Sequence, residues 1–204
     1  MLVDTAPDRS AIDWTPKARA VLAAASELFY AHGIHAVGVE AIAERAGVTK
    51  KTLYDRFGSK ERLVVEYLGA RDRRWRELLA DRLAAAGPGA AQQLDAVLAA
   101  SQEWSLAEGF HGCAMVNAHA EIGDPADPAH GVIVEQKRWM LRLFQRIAAS
   151  SGAPQPDHLA QALHLLHEGT LVSHGIGVPG DAFERAREAA LSLLGAARSS
   201  PGPA

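Results

Sequence analysis

VEAIAERAGVTKKTLYDRFGSK, residues 39–60, is the stretch whose reading decides the fold. Val39, Ile42, Ala43 and Ala46 recur at helical spacing and predict a helix with one apolar face. Gly47 stands where that helix must end, because glycine enters the left-handed conformation at little cost. Thr49 predicts a side-chain cap for a second, two-turn helix, and Val48 and Leu53 predict a hydrophobic staple across its start. Leu53 and Phe57, four apart, give the short helix a buried face, which leaves Lys50, Lys51, Thr52 and Tyr54 outside. A short helix braced by another and exposing cations and hydroxyls predicts a helix-turn-helix that enters a DNA groove.

Outward from this unit the helical signals are continuous. Thr15-Pro16 is a cap followed by proline at the first helical position, and Val21, Leu22, Ala25, Leu28 and Phe29 then share one face as far as Gly33. Ser59 predicts the cap of a helix running to Gly87-Pro88-Gly89, about 40 Å long at ~1.5 Å per residue. Further helices are predicted over 90–108, 113–122, 128–150, 157–175 and 181–198, with Asp127 and Asp157 as caps. The expected fold is therefore all-α, with nine helices. The expected organisation is a flexible start (1–14), a helix-turn-helix domain (15–60), a larger helical domain (61–198) and a disordered tail (199–204).

Gly33, Ile42-Ala43, Ala46-Gly47-Val48-Thr49-Lys50, Thr52-Leu53-Tyr54, Phe57-Gly58-Ser59-Lys60 and Leu63 carry a family pattern. At these spacings residues 15–68 resemble the DNA-binding domain of the TetR family of bacterial transcriptional regulators. One departure is Gly38, which stands where many members cap the second helix with Thr or Ser; glycine still caps but offers no side chain to a phosphate. The resemblance implies that the six C-terminal helices bind a ligand and dimerise, through a bundle shared across a two-fold axis.

Composition agrees with a specific DNA reader. The chain has 204 residues, 48% of them apolar, and a net charge of −3. That charge divides unevenly: residues 1–86 hold 14 Lys/Arg against 12 Asp/Glu, and residues 87–204 hold 7 against 12. A mild local basic excess fits a small, site-specific footprint rather than a nonspecific DNA coat. No run of 18 apolar residues occurs, so no membrane span is expected. The acidic start, MLVDTAPDRSAIDW, lacks the apolar run of a secretory leader. A single cysteine, Cys113, forms no internal disulfide and points to a reducing cytoplasm.

Candidate contacts to a double-stranded DNA operator are Thr49, Lys50, Lys51, Thr52, Tyr54 and Lys60. Lys60 begins a helix, where N–H groups favour a phosphate. The resemblance singles out Lys50, Thr52 and Tyr54. One such unit reads few bases, so a homodimer on a palindrome is expected, its half-sites ~34–36 Å apart or a multiple of that. Helices 157–175 and 181–198 are the candidate dimer surface: Gly169, Ser173 and Gly177 recur beside Leu163, Leu166, Leu171 and Ile176, and Phe183, Ala186, Ala190, Leu193 and Leu194 make a smooth face.

For a small-molecule effector, Cys113, Asn117 and Glu121 form a polar stripe on one helix, with Trp75, Trp104, Phe110, Met115, Trp139 and Phe144 as candidate walls, joined by His167. RDRRWR, residues 71–76, reads as a solvated face from which Arg71 or Trp75 turns inward. The expected scheme is mechanical: a ligand shifts the long fourth helix and releases the DNA. A rival is metal sensing by His164, His167, Glu168 and His174, or by His111, Cys113, His119 and His130. The order HLLHE matches neither zinc-protease pattern, and no GxSxG, P-loop or strand-borne GxGxxG occurs, so neither catalysis nor a cofactor is expected.

Overall fold

The computed structural model describes residues 12–109 and 111–199. Phe110, residues 1–11 and residues 200–204, and with them most of the two ends expected to be loose, lie outside the described residues. Among the described residues there are nine helices and no strand. They are α1 (Pro16–His32), α2 (Val39–Arg45), α3 (Lys50–Phe57), α4 (Lys60–Ala85), α5 (Ala90–Glu108), α6 (Ala114–Glu121), α7 (Pro128–Ser150), α8 (Pro156–Ile176) and α9 (Ala182–Ser199).

Helix starts follow the capping chemistry of the sequence. Thr15, Thr49, Ser59 and Asp127 accept backbone N–H bonds from Ala18, Thr52, Arg62 and Ala129. Gly38 caps α2 with no side-chain bond. The cap expected at Asp157 is corrected: Pro156 occupies the first helical position of α8, which moves the cap back to Gln155. Asp157 instead sits in the first turn, where its Oδ1 accepts from Gln145 Nε2 at 3.2 Å. Residues 12–14 are also held rather than loose. Ile12 and Trp14 pack against the core, the Trp14 ring meets Phe57 edge-on at 6.2 Å, and Asp13 accepts from Arg56 at 2.8 Å.

Two apolar cores organise the chain. The first joins α1, α2 and α3 to Leu63, Val64, Tyr67 and Leu68 of α4, and it extends into Met115, Ala118 and Ile122 and the start of α7. The second gathers Trp75 and Leu79 of α4 with α5, α7, α8 and α9. The packing division thus falls between Leu68 and Trp75, inside α4, and not at the chain position where the third helix ends. One continuous helix belongs to both cores, which makes it a rigid link between them.

The apolar face of α9 has a different role from the one expected. Phe183, Ala186, Ala190 and Leu194 are buried within this chain, because α9 packs on α5 and α8. Leu163 is likewise interior. On these two helices the exposed large apolar side chains are Leu165, Val172 and Ile176 of α8 and Leu191 and Leu193 of α9. With Gly169, the three on α8 follow a 4-3-4 spacing and form one stripe.

Candidate nucleic-acid interface and effector cavity

The reading unit is built around a tight turn. Gly47 has φ 64, and its N–H bonds the Glu44 carbonyl at 3.0 Å while Val48 N–H bonds Ala43 at 2.9 Å, closing the end of α2. Thr49 Oγ1 accepts the Thr52 N–H at 3.1 Å and lies 3.0 Å from the Thr52 hydroxyl. Leu53 and Phe57 anchor α3 beside Ile42 in the first core. Burying a leucine or phenylalanine contributes about 1.5–3 kcal/mol each, so the short helix is held by its inner face.

The outer face is then left to water or to a ligand. Thr49, Lys50, Lys51 and Tyr54 are exposed, and Thr52 and Lys60 are half-buried. Lys50 pairs with Glu40 of α2; their hydrogen bond raises the lysine and lowers the carboxylate from their ordinary values. Lys60 is the first residue of α4, with its Nζ 5.9 Å from the Phe29 ring centroid. Two further cations of the region are already paired, Arg45 with Glu27 and Arg56 with Asp13.

A cavity that opens to solvent lies between α4, α5, α6, α7 and α8. Trp75 and Trp104 form one wall, their rings edge-to-face at 5.8 Å, and Met115 and Leu171 complete the apolar lining. Arg71, Cys113 and His167 also line it, as do Ser101, Gln136, Lys137 and Glu168. The Lys137 ammonium donates to Glu168 Oε2 at 2.6 Å and lies 3.3 Å from Cys113 Sγ. Burial pushes the Glu168 carboxyl up, but the Lys137 ammonium bonded to its Oε2 more than reverses this and holds it well below the ordinary value. Arg71 turns inward, 6% exposed, and bonds Glu108 at 2.6 Å. Its guanidinium stacks 4.1 Å from the Tyr30 ring of α1 and 5.2 Å from Trp104. Gly175 of α8 is required at the rim: a Cβ there would meet the Gly112 backbone at 2.9 Å.

The other effector candidates lie elsewhere. Asn117 is exposed and donates to the His111 carbonyl at 2.7 Å. Glu121 accepts the backbone N–H groups of Ile34 and His35 at 2.9 and 2.6 Å, joining α6 to the loop that leads into α2. Burial raises its carboxyl, and these two bonds more than compensate, so it sits below the ordinary value. Trp139 is half-buried beneath the Arg76 guanidinium at 4.4 Å, and Phe144 is in the second core against the rings of His164 and His167. Gln136 and Lys137 escaped the sequence reading. The signal for Gln136 was a polar side chain within the apolar spacing Ile133, Met140, Leu143. Among the described residues no three His, Cys, Asp or Glu side chains converge on a metal position, and no helix is long and apolar enough to cross a membrane.

A helix-turn-helix with a cationic, hydroxyl-bearing outer face, mounted on a helical body that holds a cavity, defines a DNA-binding transcriptional regulator. Residues 21–67 match the family described as bacterial regulatory proteins, tetR family. SCO4454, a TetR-family transcriptional regulator from Streptomyces coelicolor, is 29% identical, with a TM-score of 0.85 over 90% of this chain and 97% of that one. A TetR-type regulator (sav143) from Streptomyces avermitilis is 30% identical, with a TM-score of 0.77 over 90% of this chain and 98% of that one. The HTH-type transcriptional activator FasR of Mycolicibacterium smegmatis is 50% identical over 48 residues, which span 24% of this chain and 22% of that protein. The chain belongs to the TetR family of bacterial transcriptional regulators.

Proposed function

We propose that this regulator binds a palindromic operator as a homodimer, represses, and lets go when a small molecule enters the cavity between α4 and α8. The observation that carries the reading is the double attachment of α6. Its start, Cys113 to Met115, lines the cavity, and its last residue, Glu121, holds the Ile34 and His35 N–H groups ahead of the reading unit. A ligand that moves α6 therefore pulls on the segment that orients α2 and α3. Arg71 supports the same route, since it touches Trp104 of the cavity wall and Tyr30 of α1. Release requires that the ligand bind the DNA-free arrangement more tightly than the DNA-bound one.

The exposed stripe Leu165, Gly169, Val172 and Ile176 supports dimerisation through α8, with Leu191 and Leu193 of α9 beside it. Dimerisation supplies the second reading head that one eight-residue α3 needs. The DNA contacts of this reading are Thr49, Lys50, Lys51, Thr52, Tyr54 and Lys60. The test is fluorescence anisotropy on a duplex selected from random sequence, with a scrambled control, before and after adding a small-molecule extract of the producing cells. Selective binding followed by release is expected; a selected duplex without two-fold symmetry, or one bound equally with every extract fraction, overturns the proposal.

A further inference from the structure

The polar atoms of the cavity-lining residues do not balance. Asp72 Oδ1, Gln136 Oε1, His167 Nδ1 and Glu168 Oε1 are buried without a hydrogen-bond partner, and all four residues line this one space. Three of them are satisfied only at their other polar atom: Asp72 Oδ2 by Arg76 at 2.7 Å, Glu168 Oε2 by Lys137 at 2.6 Å, and His167 Nε2 by Ser101 Oγ at 2.9 Å. Ser101 donates its single hydroxyl proton to the Val97 carbonyl at 2.8 Å, so it accepts from His167 Nε2–H. In the neutral ring that tautomer leaves Nδ1 a lone pair, 3.7 Å from Glu168 Oε1, acceptor facing acceptor. Gln136 is 7% exposed and His167 3%. Such orphaned atoms oppose folding. A core built only for packing would replace them with apolar side chains.

We propose that the cavity takes an uncharged, planar aromatic molecule bearing at least two N–H or O–H donors. One donor is received by His167 Nδ1 and Glu168 Oε1, and another by Gln136 Oε1 or Asp72 Oδ1. The ring lies against Trp75 and Trp104. The molecule is uncharged because the ions facing the space are already matched: Asp72 with Arg76, Glu168 with Lys137 and Arg71 with Glu108. An anion would meet the four acceptors, and a cation would add charge beside Arg71 and Lys137. This assignment rests on the cavity being the effector site.

The test uses calorimetric titration of the full chain with benzimidazolone, oxindole and 2-aminobenzothiazole, their N-methylated analogues, indole-3-carboxylate and N-methylquinolinium. At least one N–H compound is expected to bind at least tenfold more tightly than its methylated analogue. Gln136→Met narrows that gap about tenfold in the compound that Gln136 receives and leaves the melting temperature unchanged or raised, because an orphaned amide is removed. His167→Phe is the second variant and also narrows the gap. Equal binding of methylated and N–H compounds, preference for either ion, or no binding by any N–H compound overturns the assignment. Anisotropy on the selected duplex separates the two readings. If an ionic probe binds best and releases DNA, ligand response stands and the donor class falls. If N–H compounds bind and DNA binding does not move, the class stands and ligand response falls.

Discussion

In the proposed DNA contact, single side chains on α3 and α4 divide the work of holding the duplex from the work of choosing it. Lys60 sits at a helix start and contacts no base in the proposed geometry, so Lys60→Ala should weaken all duplexes alike and lower the salt slope by about one. Lys50 and Tyr54 substitutions should also change sequence preference, by about 1–3 kcal/mol at a contacted base pair. Anisotropy on cognate and scrambled duplexes checks both, and identical affinities for all variants would refute the assignment. In the proposed contact Glu40 competes with DNA for Lys50, so Glu40→Gln should tighten binding a few-fold at most. Inside the cavity, Glu168 is held at about 2, below the ordinary 4.5. A carboxyl lowered on folding stabilises above its unfolded value and loses that contribution as the pH falls through its folded one. Stability should therefore decline between pH 4.5 and about 2, and Glu168→Gln should flatten that decline. The same variant should be less stable at neutral pH, because Lys137 loses its charged partner. Chemical denaturation across that range measures both effects.

Among the elements, α6 is the one whose role depends on where its two ends lie. Glu121→Gln keeps the shape but weakens two charge-assisted bonds to Ile34 and His35, at a cost of about 1–3 kcal/mol. DNA binding should survive in this variant while release by ligand is blunted, read as the ligand concentration giving half-release. A variant that folds and releases normally would remove α6 from the route. Local chemistry made the reading unit legible: Gly47, the Thr49 cap and the four-residue spacing of Leu53 and Phe57 all act within one or two turns. The Glu121 contact spans 87 residues and the Arg71–Glu108 contact 37, and no local pattern encodes such pairs. The Cys113, Asn117, Glu121 stripe was readable as polar; its division between a cavity, a loop carbonyl and a domain junction was not. The apolar face of α9 was equally legible as apolar, but an apolar stripe carries no label saying whether it meets its own chain or another.

For the whole molecule, the division of α4 between two cores sets what can move. A unit of α1 to α3 seated on the near half of α4 follows any tilt of the far half, where Trp75 and Leu79 lie in the second core. In the proposed homodimer two such units must move together for spacing on DNA to change. Leu165→Glu with Val172→Glu should therefore give a monomer in light-scattering chromatography and lower operator affinity by about 10²-fold or more, leaving helical content intact. A dimer that persists in this double variant would relocate the interface. The junction between the cores also has a consequence for how the protein diversifies. Glu121 grips main-chain N–H groups, which position 35 presents with any side chain but proline, and the His35 ring, 74% exposed, adds only a contact 3.4 Å from Glu121 Oε2. The outer surface of the head can thus drift toward a new target sequence, or be exchanged with that of a relative, and the clasp that moors it stays the same.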